Sequence, residues 1–205
     1  MYIPKHTLMD DYNEICEFID KNSFALLVST NEGKLNSTHI PVLLKKDAGR
    51  YGTLYCHIAK ANQQWKDIDE EVLVVFSGPH HYISSSWYET DQSVPTWNYL
   101  AVHAYGNLSI IENKEEKIRI IKELTEYFES KYSKYKISGL KQSYFDGLLN
   151  GIVAFKIEIT KLEGKKKLSQ NHSLERQKRV INELDKMNNN DAGDISDLMK
   201  KNLKE

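Results

Sequence analysis

The sequence predicts a mainly β protein, a small antiparallel barrel with flanking helices. About six segments have the β-branched and aromatic content of strands, and most are joined by short, hairpin-like turns. The helical segments between them are short, which favours a barrel over a parallel doubly wound sheet. In residues 151–164 apolar and polar side chains alternate, as in a half-exposed strand of an antiparallel sheet.

The composition is that of a globular protein with an ordinary core. Of the 205 residues, 40% are hydrophobic and 28% charged, which excludes wholesale disorder. The net charge of -1 argues against coating of nucleic acid by bulk charge. Cys16 and Cys56 lack the spacing of a zinc or redox site and are expected to be reduced packing residues. Without a signal peptide or a long apolar run, the expected compartment is the cytoplasm, with no membrane contact.

Local patterns predict the elements along the chain. The expected strands are 24–30, 35–44, 51–58, 71–78, 96–111 and 151–164, and the expected helices are 10–22, 59–68, 113–132, 140–149, 173–187 and 195–203. Gly33 fits a tight hairpin, and Pro41 predicts that its strand lies at an edge or changes direction. The helix at 113–132 is indicated by a periodic apolar face made of Ile118, Ile121, Leu124, Phe128 and Tyr132.

The junction between the strand at 51–58 and the helix expected at 59–68 is a candidate anion site. A helix start leaves backbone N–H groups unpaired, and Lys60 adds a cation at the same place. Standard nucleotide, metalloprotease and serine-hydrolase motifs are missing from the sequence. The adjacent His80 and His81 point to opposite faces of a strand, so hydrogen-bonding roles are favoured over a metal site.

The segment 76–105 mixes aromatic and polar residues, and two interpretations of it stay open. It contains Trp87, Trp97 and Asn98 within a stretch otherwise suited to burial. One interpretation is a barrel core whose tyrosines and tryptophans reach partners at the rim. The other is a flat apolar slot with a few polar anchors, which suits a planar heteroaromatic ligand.

The C-terminal part is modestly basic. Residues 161–205 hold 11 basic against 8 acidic residues. Six basic residues lie close enough together in the sequence to contact nucleic-acid phosphates: Lys165, Lys166, Lys167, Arg176, Lys178 and Arg179. A solvated charged face is the alternative explanation. The expected division is a domain over 1–164 and a basic, helical extension over 165–205.

Several segments taken together resemble the PaiB family. They include THIPVLL (38–44), LYCHIAKANQQW (54–65), VFSGPHHYISSSWY (75–88), VPTWNYLAVHAYG (94–106) and GIVAFKIEITKLEGKKKLSQN (151–171). The resemblance spans nearly the whole chain. Gln63-Gln64 stands where the family commonly has Asn-Pro-Gln, and Ser85 where proline is usual, which predicts looser loops at both places.

The resemblance implies an antiparallel split β-barrel of the FMN-binding type, in which a homodimer binds flavin between subunits. It places the FMN phosphate at the junction of His57, Lys60 and Asn62, and the flavin ring along His39, Pro41 and Val42. Trp97 and Asn98 would approach from the neighbouring subunit, and Lys167 and Gln170 would close the pocket.

The family is described as FMN-binding transcriptional regulators that repress protease production and sporulation. The resemblance therefore implies a regulator in which flavin occupancy or redox state alters a contact with a partner, with DNA as one candidate. An FMN-dependent oxidoreductase acting on a small molecule is the alternative, and a barrel without cofactor is a third. A homodimer is also expected because Pro41 and the aromatic strand 96–105 would leave apolar surface uncovered.

Overall fold

The computed structural model describes residues 1–66, 68, 71–129 and 132–203. The strands of this part are β1 (Leu8–Met9), β2 (Phe24–Asn31), β3 (Lys34–Lys45), β4 (Thr53–Ala59), β5 (Glu71–Ile83), β6 (Thr96–Ile110) and β7 (Ile152–Lys167). Its α-helices are α1 (Tyr12–Lys21), α2 (Lys114–Phe128), α3 (Gln142–Asn150), α4 (Leu174–Leu184) and α5 (Asn190–Asn202). Single 3-10 turns lie at Lys5–Thr7, Gln63–Trp65, Ser85–Trp87 and Ile137–Gly139.

The strands form one sheet in the order β1-β7-β4-β3-β2-β5-β6, and a further pairing joins β7 to β6. That pairing closes the strands β2 to β7 on themselves, as the barrel prediction requires. The ladders of β7 with β1 and β4, and of β2 with β3 and β5, are antiparallel. Gly106 in β6 permits a close approach to β7, because a Cβ there would lie 2.5 Å from the carbonyl oxygen of Glu158.

The hairpin of β2 and β3 forms where the sequence predicts it. Glu32 and Gly33 have positive φ angles of 49° and 78°, which match the twist that a two-residue hairpin needs. The strand β3 lies between β2 and β4 in the sheet, so the expectation that Pro41 marks an edge strand is wrong for β3 as a whole. The ladder with β4 starts at Val42, one residue after Pro41, so the missing N–H interrupts no pairing with β4.

The chain forms two compact units. The central unit comprises Ile19–Phe76 and His103–Leu162. Its core contains fully buried side chains from several strands, among them Leu27, Leu54, Phe76 and Phe155. The helix α2 packs with Ile120 and Leu124 against a cluster formed with Leu43, Ile111 and Ala154. The buried face of α2 is therefore rotated from the predicted one, and Phe128 and Tyr132 are exposed.

The terminal unit comprises Met1–Phe18, Ser77–Val102 and Glu163–Glu205. The boundary expected between residues 164 and 165 falls inside β7. The helix α4 begins after Ser173, whose hydroxyl accepts the N–H of Arg176 at 3.2 Å, as predicted. The helix α5 begins earlier than the predicted Ile195, because Asn189 caps it by accepting the N–H of Ala192 at 3.2 Å. The helix α4 ends at Leu184, before the asparagine run at 188–190, and that run starts α5.

Both cysteines are buried and form no disulfide, which agrees with their predicted role in packing. Burial raises the pKa of Cys56 to about 12, so its thiol is protonated and unreactive at neutral pH. Among the helices described, none has both the length and the apolar character needed to cross a membrane. Over the same residues, no group of three or more His, Cys, Asp or Glu side chains is placed to hold a metal ion.

Candidate functional site

The residues predicted to bind the phosphate lie at the end of β4 and in the turn after it, but the helix expected over 59–68 does not form among the described residues. Gln63–Trp65 forms a single 3-10 turn, while Asp67 of the expected region lies outside the described residues. The side-chain oxygen of Asn62 accepts the N–H of Gln64 at 2.9 Å. An asparagine that hydrogen-bonds its own turn in this way competes with helix formation.

The backbone N–H groups at this junction are already used. The N–H of Lys60 donates to the carbonyl oxygen of Gly151 at 2.8 Å, and the N–H of Asn62 donates to that of Ala59 at 2.9 Å. The idea that a helix start offers these two groups to an anion is therefore wrong. The side chain of Lys60 is exposed, so anion binding here depends on its ammonium group.

Gln64 fixes the turn to the β2–β3 hairpin. Its side chain is only 7% exposed, and its amide nitrogen donates to Ser29 Oγ at 3.0 Å and to the Asn36 carbonyl at 3.3 Å. Its amide oxygen accepts the hydroxyl of Thr38, which in turn accepts Asn62 Nδ2 at 2.8 Å. The loop is therefore tied down, and the looseness predicted from the missing proline is wrong. Sequence reasoning missed Gln64, because nothing in its neighbours indicates burial.

His57 lines a cavity of about 220 Å³ together with Ile121, Phe145 and Leu149. Its Nδ1 atom is buried and has no hydrogen-bond partner in the part of the chain that is described. Burial, and secondly the positive charge of Lys117, lower the pKa of His57. The imidazole is therefore neutral at physiological pH.

Lys117 is a residue that sequence reasoning missed. It lies on the buried side of α2, and its ammonium group donates to the carbonyl oxygens of Leu149 and Ile152 at 2.6 and 2.8 Å. Burial, and secondly the charge of Lys60, lower the pKa of Lys117. A usable signal was its spacing: Lys117 precedes Ile120 and Leu124 by three and seven positions, which places all three on one helical face.

The three residues predicted along the flavin ring differ in accessibility. His39 is exposed, and its ring stacks on that of Phe24 with centroids 5.8 Å apart. Pro41 is half-buried, and Val42 is almost fully buried. In this unit, therefore, His39 is the residue of the three that presents a flat surface to a ligand.

In the terminal unit, Trp97 is 51% exposed and lies beside two other rings. The ring centroids of His80 and Tyr82 lie 6.2 and 5.7 Å from that of Trp97. The next residue, Asn98, is completely buried, and its side-chain oxygen accepts the hydroxyl of Ser169 at 3.1 Å. Trp97 therefore offers an accessible aromatic face, whereas Asn98 holds the interior of this unit.

Lys167 and Gln170 make hydrogen bonds within the terminal unit. The ammonium group of Lys167 donates to the hydroxyl of Thr96 and, at 2.8 Å, to the carbonyl oxygen of Trp97. The side-chain oxygen of Gln170 accepts the N–H of Leu168 at 2.6 Å. Lys167 thus fixes the backbone at Trp97, and Gln170 closes the turn that follows β7.

Most of the basic residues predicted to contact DNA have partners within the terminal unit. Three form ion pairs: Lys166 with Glu14 at 2.7 Å, Arg176 with Glu89 at 2.6 Å, and Arg179 with Glu175 at 2.8 Å. Lys165 is 7% exposed, and its ammonium group donates to the Tyr2 carbonyl and lies 5.2 Å from the ring centre of Tyr99. Lys178 is exposed. The segment therefore presents much less free charge than its composition suggests.

Comparison with known proteins identifies the family of this chain. A family described as "Putative FMN-binding domain" matches residues 1–161. The Bacillus subtilis protein named "Protease synthase and sporulation protein PAI 2" is 41% identical over 212 aligned positions, which cover 100% of this chain and 99% of that protein.

Solved structures confirm the fold. The flavocytochrome Anf3 from Azotobacter vinelandii matches with a TM-score of 0.60 and 10% identity, over 81% of this chain and 72% of that one. An FAD and heme binding protein from Mycobacterium smegmatis matches with a TM-score of 0.57 and 13% identity, over 78% and 73%. At these identities the likeness establishes the fold alone. The family model and the full-length relative show that the chain belongs to the PaiB family of FMN-binding split-barrel proteins.

Proposed function

We propose that this protein is a homodimeric, FMN-binding transcriptional regulator of the cytoplasm that represses protease production and sporulation. The observation that carries the proposal is the full-length, 41% identity to a protein named for protease synthesis and sporulation. A likeness that extends through both termini supports a shared role rather than a shared domain. Two buried cysteines without a disulfide suit a reducing compartment.

The turn after β4 fits the phosphate of FMN. A flavin phosphate carries nearly two negative charges, and Lys60 presents an exposed ammonium group from a turn that Asn62 and Gln64 hold in place. A cation on a fixed turn loses little conformational freedom when it binds an anion. In this proposal Lys60 binds the phosphate, and Asn62 and Gln64 position the turn.

The accessible rings are the residues proposed for the flavin ring. His39 in the central unit and Trp97 in the terminal unit each expose a flat aromatic surface, and Trp97 is assigned to the neighbouring subunit as the resemblance implies. Bound FMN would supply two-electron redox chemistry. A regulator can use that chemistry only if two states of the protein bind the oxidised and reduced forms differently.

A second copy of the chain is the proposed occupant of the exposed hairpin. Residues 32–37 are all exposed, and Leu35 in β3 is 75% and Phe24 in β2 is 68% exposed. The part of β3 before Val42 has no ladder with β4, and apart from the Asn36 carbonyl, which accepts Gln64, its outer edge is proposed to pair with another strand. Sedimentation is expected to give a dimer at micromolar concentration, and a stable monomer would contradict the proposal.

Direct contact with DNA through residues 165–179 is expected to be weak. Lys165, Lys166, Arg176 and Arg179 make the internal contacts described above, so few phosphates can be neutralised there. Affinity for duplex DNA should therefore be low and should fall as salt is raised. Tight, sequence-specific binding that persists in high salt would overturn this expectation.

Two experiments test the proposal: visible spectroscopy of the purified protein with FMN, and genetic complementation. The purified protein should bind one FMN per subunit, and the chain should restore normal extracellular protease and spore counts to Bacillus subtilis lacking its relative. Failure to bind flavin, or failure to restore repression, would contradict the corresponding part. Rapid anaerobic bleaching of the flavin by NADH or NADPH, with turnover of an acceptor, would instead favour the oxidoreductase.

A further inference from the structure

We infer that Lys117 is a second cation of the flavin-phosphate site and acts together with Lys60; this rests on the proposed function. Lys117 is 57 positions from Lys60 in the sequence and belongs to α2, outside the segment that carries the family resemblance at the turn. Its ammonium group reaches across from α2 and donates to two backbone carbonyls, those of Leu149 and Ile152.

Both lysines are attached to the same short segment. The carbonyls that hold Lys117 belong to residues 149 and 152, and the carbonyl of Gly151, between them, accepts the backbone N–H of Lys60 at 2.8 Å. The end of β4 and the ammonium group of Lys117 therefore meet at the turn between α3 and β7. The acceptors of all three hydrogen bonds are backbone carbonyls, so the arrangement does not depend on flexible side-chain acceptors.

Lys117 experiences the positive charge of Lys60 without a counter-charge from the described residues. Burial first, and then the charge of Lys60, lower the pKa of Lys117, and no carboxylate of the described residues is among the groups that shift this pKa. By contrast Lys114, one turn earlier in α2, pairs with Asp146 at 3.1 Å. Like charges held together cost free energy, and a bound anion removes that cost.

The geometry also leaves bonding capacity for an anion. An ammonium group has three N–H donors, and the two carbonyls account for two of those on Lys117. A phosphate dianion with several acceptor oxygens can take the third donor and contact the exposed Lys60 as well. A ligand with the same flavin ring but no phosphate gains nothing from either lysine, which makes the inference testable.

The test compares FMN with riboflavin, which lacks the phosphate, in fluorescence titrations of the purified apoprotein. The Lys117→Met variant should bind FMN roughly tenfold more weakly. Its riboflavin affinity should stay within about twofold of the unmodified protein. The Lys114→Met variant, which removes a paired lysine from the same helix, is the matched control and should bind both ligands normally.

A structural role for Lys117 predicts a different result. If it only holds the end of α3, the substitution should weaken FMN and riboflavin equally, which would overturn the inference. Unchanged FMN binding would overturn it too. In both cases the unmodified protein still binds FMN, so the proposed function stands. If the unmodified protein binds no flavin, the proposed function itself fails.

A second variant is available if Lys117→Met does not fold. Lys117→Gln keeps a donor for one of the two carbonyls, and the same results are expected for it.

Discussion

Two sets of basic residues in this molecule differ in what the fold does with their charge. In residues 165–179 of the terminal unit, Lys166, Arg176 and Arg179 each pair with a carboxylate. In the central unit, burial and then the charge of Lys60 lower the pKa of Lys117, and no acid of the described residues is among the groups that shift it. Three residues of the denser set are thus neutralised, whereas the proposal assigns the flavin phosphate to the sparser set.

Charge counted along a sequence does not measure the charge that is available to a ligand. The run of lysines and arginines after residue 164 predicted contacts with nucleic-acid phosphates because its members are close together in the sequence. Exposed ion pairs contribute little stability, about 0 to 1 kcal/mol each, but they do remove free charge. The pair at the central turn comes from residues far apart in sequence, so only the fold reveals it.

The largest effect is expected from the residue that fixes the central turn. Replacing Gln64 with Ala should lower the free energy of unfolding by about 2 to 3 kcal/mol, because it leaves Thr38, Ser29 and the Asn36 carbonyl without their partner. FMN affinity should fall as well, since Lys60 loses its fixed position. Urea unfolding and FMN titration measure the two effects.

The neighbouring Gln63 is the matched control for this prediction. It is exposed, and its side chain donates only to the nearby Ala61 carbonyl at 3.2 Å. Gln63→Ala should change the free energy of unfolding by no more than about 0.5 kcal/mol. Equal effects of the two substitutions would mean that the turn is not held by Gln64.

A second prediction uses acid to break the ion pair between Arg176 and Glu89. Hydrogen bonds from Arg176, and then the backbone N–H of Glu89 itself, lower the pKa of Glu89 to about 2. Because the folded pKa is below that of the unfolded chain, the stabilisation is complete above about pH 4.5 and is lost as the pH falls toward 2. Glu89→Gln should make acid unfolding less steep over this range.

FMN affinity serves as the control for the acid experiment. At neutral pH the Glu89→Gln variant should bind FMN with normal affinity, because this pair belongs to the neutralised set. If its FMN affinity instead falls as much as that of a Lys60 variant, the distinction between the two sets is wrong.

The smallest effect is expected at His57, which reports on the charge of Lys117. Burial, and then Lys117, lower the pKa of His57, so folding favours the neutral ring and stability declines as the pH falls below about 6.5. Lys117→Met should raise this pKa partway toward its ordinary value. An NMR titration of the imidazole signals measures the change.

His172 provides an internal reference in the same spectra. Its pKa is lowered by burial and by Arg176, and Lys117 is not among the groups that shift it. Its titration should therefore not respond to Lys117→Met. A shift of both histidines would indicate a general change in the fold, and a shift of neither would show that Lys117 does not act on His57.

Sequence patterns predicted the regular elements well, because alternation and helical spacing directly reflect burial. The strands β2 to β7, the hairpin at Gly33 and the Ser173 cap all form where expected. The helix at 59–68 was wrong because the Asn62 side chain bonds within its own turn, which composition does not reveal.

The candidate site was predicted less completely than the fold. Lys60 could be proposed from the sequence because it follows a strand directly. Gln64 could not, since its role depends on a contact with Thr38, which is distant in the chain. Helical spacing places Lys117 on the face of Ile120 and Leu124, but its contacts with residues 149–152 could not be predicted. The apolar positions of α2 predicted a different buried face, and that prediction did not include the lysine on the observed one.

The central claim is that unbalanced cations at the turn after β4 bind the flavin phosphate, whereas those in residues 165–179 do not. The most direct measurement is an FMN titration of three proteins: unmodified, Lys60→Ala and Lys178→Ala. Lys60→Ala should weaken binding about tenfold to a hundredfold without loss of stability. Lys178→Ala, which removes an exposed lysine of the other set, should leave the dissociation constant within about twofold. Equal dissociation constants for all three proteins would contradict the claim.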